Sequence, residues 1–269
     1  MEVEPVKKPM CMTYSVMCGM LIFGTANILI QDAQLKTTSD GNLFTHPYVQ
    51  CSIMFLGELS VWIAYGGKKV LYARRAAADP ASAPMSPGAA QANTKQLKMN
   101  PNPCLLAIPA AFDFTASSLM FIALTMTPAS VYQMMRGFVT VITALMSIVF
   151  LKKKQYRHHW TGLVLIMLAL VEVGYVAIAL GDKEDEGLVG SIALGIALLL
   201  LAQVFAGALF IVEEYFIGDY YLDPLKVVGT EGMWGTLYFL IALPIMQSVM
   251  CSGPLCNFDY FENSSYAFK

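Results

Sequence analysis

The chain has 269 residues, of which 57% are hydrophobic and only 13% are charged, whereas about 25% of the residues in a typical soluble domain are charged. This composition excludes an ordinary soluble domain and predicts a membrane protein. The 17 lysines and arginines and 19 aspartates and glutamates give a formal net charge of -2, so the chain lacks the basic excess that nucleic-acid binding requires. We therefore expect a lipid bilayer around the protein and no nucleic-acid partner.

Seven mostly apolar runs are long enough to cross a bilayer as helices, which takes about 20 residues each. Residues 192–201 do not alternate between apolar and polar side chains, which excludes a transmembrane β-barrel. The sequence therefore predicts an all-α polytopic membrane protein. Its predicted spans are residues 11–30, 48–65, 104–124, 130–151, 160–180, 190–212 and 227–250.

The distribution of lysine and arginine between the loops predicts the orientation of the chain. Thirteen of these residues fall in the N-terminus (residues 1–10) and in the second, fourth and sixth loops, and three fall on the other side. The N-terminus should therefore be cytoplasmic. The long second loop, residues 66–103, is rich in Ala, Pro, Ser and Gly, and we expect it to be disordered and cytoplasmic. Residues 251–269 should form a lumenal or extracellular tail.

Several polar side chains interrupt the predicted spans. An ionisable group at the bilayer centre costs at least about 2.5 kcal/mol, and such groups mostly face a bundle interior or a water-filled cavity. Their number exceeds what a passive bundle normally carries, so the sequence predicts a polar pathway through the bundle. These side chains are Asn27, Glu58, Asp113, Gln133, Arg136, Glu172, Gln203 and Glu231.

The fourth predicted span places Gln133 and Arg136 on one helix face, because they are three residues apart. The guanidinium presents a rigid fork of donors that suits a carboxylate or phosphate, which points to an anionic solute. Alternatively, Arg136 pairs permanently with Glu58 or Asp113, or its side chain extends to the interface between the membrane and water. Asp113 also has two readings: it carries a proton, or it only bonds to neighbours such as Ser117.

The sequence contains no recognisable enzyme, metal or cofactor motif. The patterns GxSxG, HExxH and GxxxxGK[ST] are absent, and there is no CxxC pair. His158 and His159 lie in a basic loop without a ligand partner at metal-binding spacing. We therefore expect a protein that is not an enzyme and that needs neither a cofactor nor a metal ion.

Eight blocks, found in order from residue 46 to residue 232, carry a resemblance to a known family. They are HPYVQ (46–50), MFLGE (54–58), DFT (113–115), SSLM (117–120), AL (123–124), QMMRG (133–137), EE (213–214) and VGTEG (228–232). In these blocks the chain resembles the drug/metabolite transporter (EamA-like) superfamily, and within it the F branch of the nucleotide-sugar-transporter-like solute carrier 35 family. The QMMRG block is also similar to one in chloroquine-resistance-transporter-like proteins.

The resemblance implies ten helices in two five-helix repeats of opposite orientation, with substrate bound between the repeats near the midplane. Residues 11–180 would supply the first repeat, whereas residues 190–250 would supply only the first two helices of the second. We therefore expect a partial ten-helix fold. Either the sequence is a truncated product, which we favour, or a partner such as a second copy in a homodimer completes the bundle.

Together, these features predict a secondary transporter that moves a small organic solute across an endomembrane, lysosomal or Golgi, by alternating access. Sugar nucleotides, nucleobases and amino-acid-like solutes are all candidates. A non-transporting membrane scaffold or regulator, or an inactive truncated isoform, is the alternative. A seven-helix receptor is disfavoured because its N-terminus would lie outside. The expected roles are ligand contact for Gln133 and Arg136, charge pairing or proton transfer for Asp113 and Glu58, and a pore-facing hydrogen bond for Asn27.

Overall fold

A computed structural model describes residues 10–35, 38–39, 42–43, 47–78, 102–179, 186–220 and 223–248. The chain divides into two compact units at residue 46. The predicted N-terminus except Met10, residues 79–101 of the predicted disordered loop, and the predicted tail lie outside the described residues. Residues 66–78 of that loop, which were expected to be disordered, are helical.

The first unit contains one long helix and a small hairpin. Helix α1 (Met10–Leu35) includes the first predicted span, and at about 1.5 Å per residue its 26 residues are long enough to cross a bilayer. Strands β1 (Thr38–Ser39) and β2 (Asn42–Leu43) pair antiparallel, with Thr38 opposite Leu43. The sequence analysis missed this pairing, because two residues per strand are too few to show an alternating pattern.

Apart from a bridge residue at Tyr220, the regular structure of the second unit is helical in the described ranges. Its helices confirm the predicted all-α class, and a 3₁₀ turn (Pro103–Leu106) leads into the second of them. They are α2 (Pro47–Ala78), α3 (Ala107–Met126), α4 (Ala129–Met135), α5 (Phe138–Leu151), α6 (Arg157–Ala179), α7 (Glu186–Asp219) and α8 (Pro224–Ser248).

Prolines and one aspartate mark where helices begin. Pro47 and Pro224 are the first residues of α2 and α8, where the missing N–H of proline removes no helical hydrogen bond. Asp223 precedes α8, and its Oδ1 accepts a hydrogen bond from the N–H of Leu225 at 3.1 Å. This contact satisfies one of the backbone donors that a helix N-terminus leaves unpaired. The start of α8 is therefore fixed by its own sequence.

Six segments of the described residues are long and apolar enough to cross a membrane, against seven predicted spans. The seventh predicted span, residues 227–250, is helical as α8, but it is not among these segments. The six segments are Tyr14–Gln31, Pro47–Arg74, Pro103–Met126, Ala129–Leu151, Arg157–Ala179 and Ile192–Phe216.

The core of the second unit is built from two extensive helix pairs, α2 with α8 and α3 with α7, and α3 also packs against α2 and α8. Aromatic rings fill the junction of α2, α3 and α8. The ring centroid of Phe239 lies 5.7 Å from that of Phe55 and 4.7 Å from that of Phe114. A second apolar cluster, formed by Leu106, Phe216 and Val227, joins the 3₁₀ turn to α7 and α8.

Helix α8 approaches α2 closely because glycines recur every third residue along the contact. A Cβ atom added at Gly229 would lie 2.7 Å from Cδ1 of Trp62, and one added at Gly232 would lie 2.7 Å from Cβ of Glu58. One added at Gly235 would overlap the ring of Phe55. Small residues let helix backbones come together in this way in membrane proteins. The contact fixes the position of Glu58 along the axis of α8.

We expect the substitution Gly232→Ala to destabilise the protein. The added methyl group would meet the backbone of α2, which cannot move aside as a flexible side chain could, and overpacking of this kind costs about 1–3 kcal/mol. Thermal unfolding of the purified protein in detergent measures the effect. Gly57→Ala in α2 is the matched control, because a Cβ added there meets no atom within 4 Å. A melting temperature for Gly232→Ala equal to that of Gly57→Ala would contradict the close contact.

Candidate functional site

Four acidic side chains from four different helices face one another inside the second unit. Glu58 lies on α2, Asp113 on α3, Glu213 on α7 and Glu231 on α8. Every pair among the four is close enough to interact electrostatically. Glu231 is only 6% exposed, and the other three are half-buried. We call these four residues the acidic cluster.

The carboxyl groups of the acidic cluster are only partly satisfied by hydrogen bonds. Asp113 Oδ1 accepts one from the Ser117 hydroxyl at 3.0 Å, which is the neighbour expected from the sequence. The carboxyl groups of Glu213 and Glu231 interact directly. Oε2 of Glu58 and Oε1 of Glu231 are buried without a hydrogen-bond partner in the described part of the chain. Such unpaired buried oxygens are costly in a protein interior.

No cation compensates the acidic cluster within the described ranges. The two ion pairs found there are Lys68 with Asp223 and Lys153 with Glu214, and neither includes a member of the cluster. In the same ranges, no group of three or more His, Cys, Asp or Glu side chains is arranged to hold a metal ion. The cluster is thus a concentration of like charge in an apolar assembly, without the geometry of a metal site.

Arg136 lies at a local tightening within the fourth predicted span. Helix α4 ends at Met135 and α5 begins at Phe138, but Arg136 and Gly137 between them keep right-handed helical backbone angles, and the N–H of Gly137 donates to the carbonyl of Met134 at 3.0 Å. This three-residue spacing tightens the chain locally compared with an α-helix. Residues Ala129–Leu151 remain one segment long and apolar enough to cross a membrane, as the sequence predicted.

The Arg136 side chain is exposed and lies over an aromatic ring. Its guanidinium carbon is 5.8 Å from the ring centroid of Tyr132, which is within the range of a cation–π contact. Arg136 forms no ion pair with Glu58 or Asp113, so the structure does not support a permanent pairing between them. The exposed guanidinium and the acidic cluster are separate polar features.

The structure therefore brings together two of the five predicted site residues, Asp113 and Glu58. Gln133, which is half-buried, and Arg136 lie together at the end of α4. Asn27 lies on α1, in the first unit, and is exposed there.

Two members of the acidic cluster were not among the predicted site residues. Glu231 was recognised as a polar residue within a span and as part of a family block, and Glu213 only as part of a family block. The sequence offered two signals. Glu213 belongs to a pair of carboxylates at the end of a long apolar run, and Glu231 lies among regularly spaced glycines. Glu172, which also lies within a predicted span, is exposed on α6.

Comparison with known proteins relates the chain to transporters. The family model for nucleotide-sugar transporters matches residues 69–215. Solute carrier family 35 member F6 of Homo sapiens is 32% identical over 237 residues, which cover 86% of this chain and 59% of that protein. The Pongo abelii protein of the same name is 31% identical over the same shares. An uncharacterized protein of Schizosaccharomyces pombe is 29% identical over 91% of this chain and 69% of its own length.

The chain thus spans about 59% of the length of the mammalian relatives it matches. No solved structure matches the chain.

We expect the substitution Glu231→Gln to raise the melting temperature at pH 8. The amide keeps the size of the side chain but removes a buried carboxyl group, which at this pH must either take up a proton or lose the hydration of its charge when the protein folds. A gain of about 2–4 °C would correspond to about 1 kcal/mol in a chain of this size. Glu172→Gln, at an exposed position on α6, is the control. A gain no larger than that of the control would count against a destabilising buried carboxyl group at Glu231.

Proposed function

The chain belongs to the nucleotide-sugar transporter family, and we propose that it carries a small organic solute across an endomembrane as a secondary transporter, by alternating access. The observation that carries this proposal is the convergence of carboxyl groups from four apolar helices on one interior region. Ionisable groups persist inside membrane proteins mainly where they serve a pathway for ions or substrates.

The acidic cluster supports a role in moving charge. Four neighbouring carboxyl groups without a nearby lysine or arginine in the described ranges favour a bound cation or proton over a fixed ion pair. We propose that Asp113 and Glu58 carry protons or act as charge partners during transport. Glu213 and Glu231 extend the same group to helices α7 and α8.

The local 3₁₀ tightening at Arg136 supports a role in solute binding. A stretch of 3₁₀ geometry in the middle of a helix often marks a functional hinge. Arg136 adds five donors in a fixed fork, which suits a carboxylate or a phosphate. Since this guanidinium is exposed and has no ion pair in the described residues, it is available to a ligand. We propose Arg136 and its neighbour Gln133 as contacts for an anionic group of the solute.

The remaining parts of the proposal rest on the sequence. Asn27 is a polar residue on the apolar helix α1, and we propose that it donates a hydrogen bond toward the pore. We propose that residues 11–180 form one five-helix repeat and that residues 190–250 begin the second. A cytoplasmic N-terminus and a lysosomal or Golgi location complete the proposal.

Uptake into proteoliposomes tests the role of Arg136. The labelled probes are UDP-N-acetylglucosamine, adenine and glutamate, which represent the three candidate solute classes. We expect saturable uptake of at least one probe, and for an anionic probe we expect Arg136→Ala to lower uptake about ten-fold or more, because a bidentate charged contact is lost. Arg136→Lys should retain part of the activity.

Arg157→Ala is the matched control, because Arg157 is an exposed arginine at the start of α6. If Arg136→Ala takes up an anionic probe as well as the unsubstituted protein does, at equal protein content, Arg136 is not part of the binding site. Failure of the unsubstituted protein to take up any probe would favour the non-transporting scaffold.

The variants Asp113→Asn and Glu58→Gln separate proton transfer from simple charge pairing. A proton carrier is needed for uptake driven by a pH gradient but not for one-for-one exchange of labelled against unlabelled solute. We therefore expect both variants to lose most of the stimulation by an imposed pH gradient and to retain exchange. If both activities fall by the same factor, these carboxyl groups act in binding or folding rather than as proton carriers.

A further inference from the structure

Two ion pairs lie at one end of the second unit, and each joins segments far apart in the chain. Lys68 Nζ on α2 lies 2.8 Å from Asp223 Oδ2 at the start of α8. Lys153, just beyond α5, pairs with Glu214 near the end of α7. Each pair connects a residue before position 180 with a residue after position 185, and thus the first predicted repeat with the second. We call these two contacts the latch pairs.

Each latch pair lies beyond a tight glycine contact between the same helices. Lys68 and Asp223 are each six residues from Trp62 and Gly229, where α2 and α8 pack closely. On α7, Glu214 is seven residues beyond Gly207, where an added Cβ would lie 3.3 Å from Cβ of Ile142 on α5. At about 1.5 Å per residue, these three latch residues are about 9–11 Å from the glycine contacts along their helices, and Lys153 is farther from Ile142.

Backbone contacts hold the latch residues in place. The carbonyl of Asp223 accepts hydrogen bonds from the N–H groups of Lys226 and Val227, and its Oδ1 accepts one from Leu225, so Oδ2 is left for Lys68. Lys152 ends α5 in the left-handed conformation with a φ of 53°, and the next N–H, of Lys153, donates to the carbonyl of Ser147. This turn directs the chain back over the end of α5. One partner of each pair is thus held by backbone bonds.

The glycine contacts and the latch pairs differ in how easily they separate. A steric contact between backbones has no second arrangement at low cost, because packed interiors are dense. Ion pairs between exposed side chains contribute little and exchange readily with water. The Lys153 and Glu214 side chains are 50% and 43% exposed, and those of Lys68 and Asp223 are 31% and 21% exposed. The helix ends can therefore separate while the interior contacts remain closed.

From this geometry we propose that the latch pairs act as a gate, opening and closing this end of the second unit about the glycine contacts at Gly229 and Gly207. Of the acidic cluster, Glu213 lies nearest the gate, because it adjoins Glu214 in sequence, whereas Glu231 follows Asp223 by about two helical turns and lies just beyond Gly229. A solute or ion that enters from this end passes the latch pairs before it reaches Glu213. The inference rests on the proposed transport function, and its test requires no substrate.

Hydrogen–deuterium exchange of the full chain in lipid nanodiscs tests the gate. We expect Lys153→Glu and Glu214→Lys each to speed amide exchange in residues 209–216 by about two- to five-fold, which matches the usual strength of an exposed ion pair. The charge swap Lys153→Glu with Glu214→Lys should restore slow exchange. Lys68→Gln should have the same effect on residues 225–232. Lys154→Glu and Lys69→Gln are the matched controls, because these exposed lysines are direct neighbours of the latch residues.

Exchange at the opposite ends of the same helices separates a gate from a general loss of stability. Alternating access closes one end as the other opens, so residues 47–55 and 192–199 should exchange at the same rate as before or more slowly. Equal acceleration at both ends, no change in any variant, or a charge swap that fails to restore slow exchange would overturn the gate. If the predicted pattern is seen but no probe is taken up into proteoliposomes, the proposed function fails while the latch remains.

Discussion

The arrangement of the second unit depends on the close approach of α2 and α8. Three glycines on α8 bring its backbone against Phe55, Glu58 and Trp62 of α2. A larger residue at these positions would separate the two helices, and the carboxyl groups of Glu58 and Glu231 would separate with them. The acidic cluster is therefore a consequence of backbone packing. An unfavourable set of like charges persists because steric complementarity elsewhere holds the four helices together.

The sequence predicted the features that depend on local composition. Apolar runs of about 20 residues specify membrane helices because the bilayer allows few other structures, and six of the seven predicted spans meet that standard in the structure. The family was predictable as well, because its motifs lie in order along the chain.

The features that sequence reasoning missed depend on residues distant in the chain. The meeting of Glu213 and Glu231 follows from how α7 and α8 pack against α3 and α2, and no spacing within either helix reveals it. The 3₁₀ tightening at Arg136 follows from local hydrogen bonding at Gly137, and an apolar helix can contain a glycine without it. Glu58 and Asp113 could each be predicted as functional residues, because an ionisable side chain inside a membrane costs free energy. The sequence did not predict which side chains would lie beside them.

The interior of the second unit and its latch end obey different physical constraints. Inside, glycine contacts and aromatic packing specify a single arrangement, and the like charges of the acidic cluster oppose it. At the latch end, lysines meet carboxylates in partly exposed pairs whose formation and loss have similar free energies. Movement should therefore concentrate where contacts are polar and exposed. Because interior packing resists deformation, a change in the balance of the exposed pairs should move the helix ends at the latch and leave the glycine contacts in place.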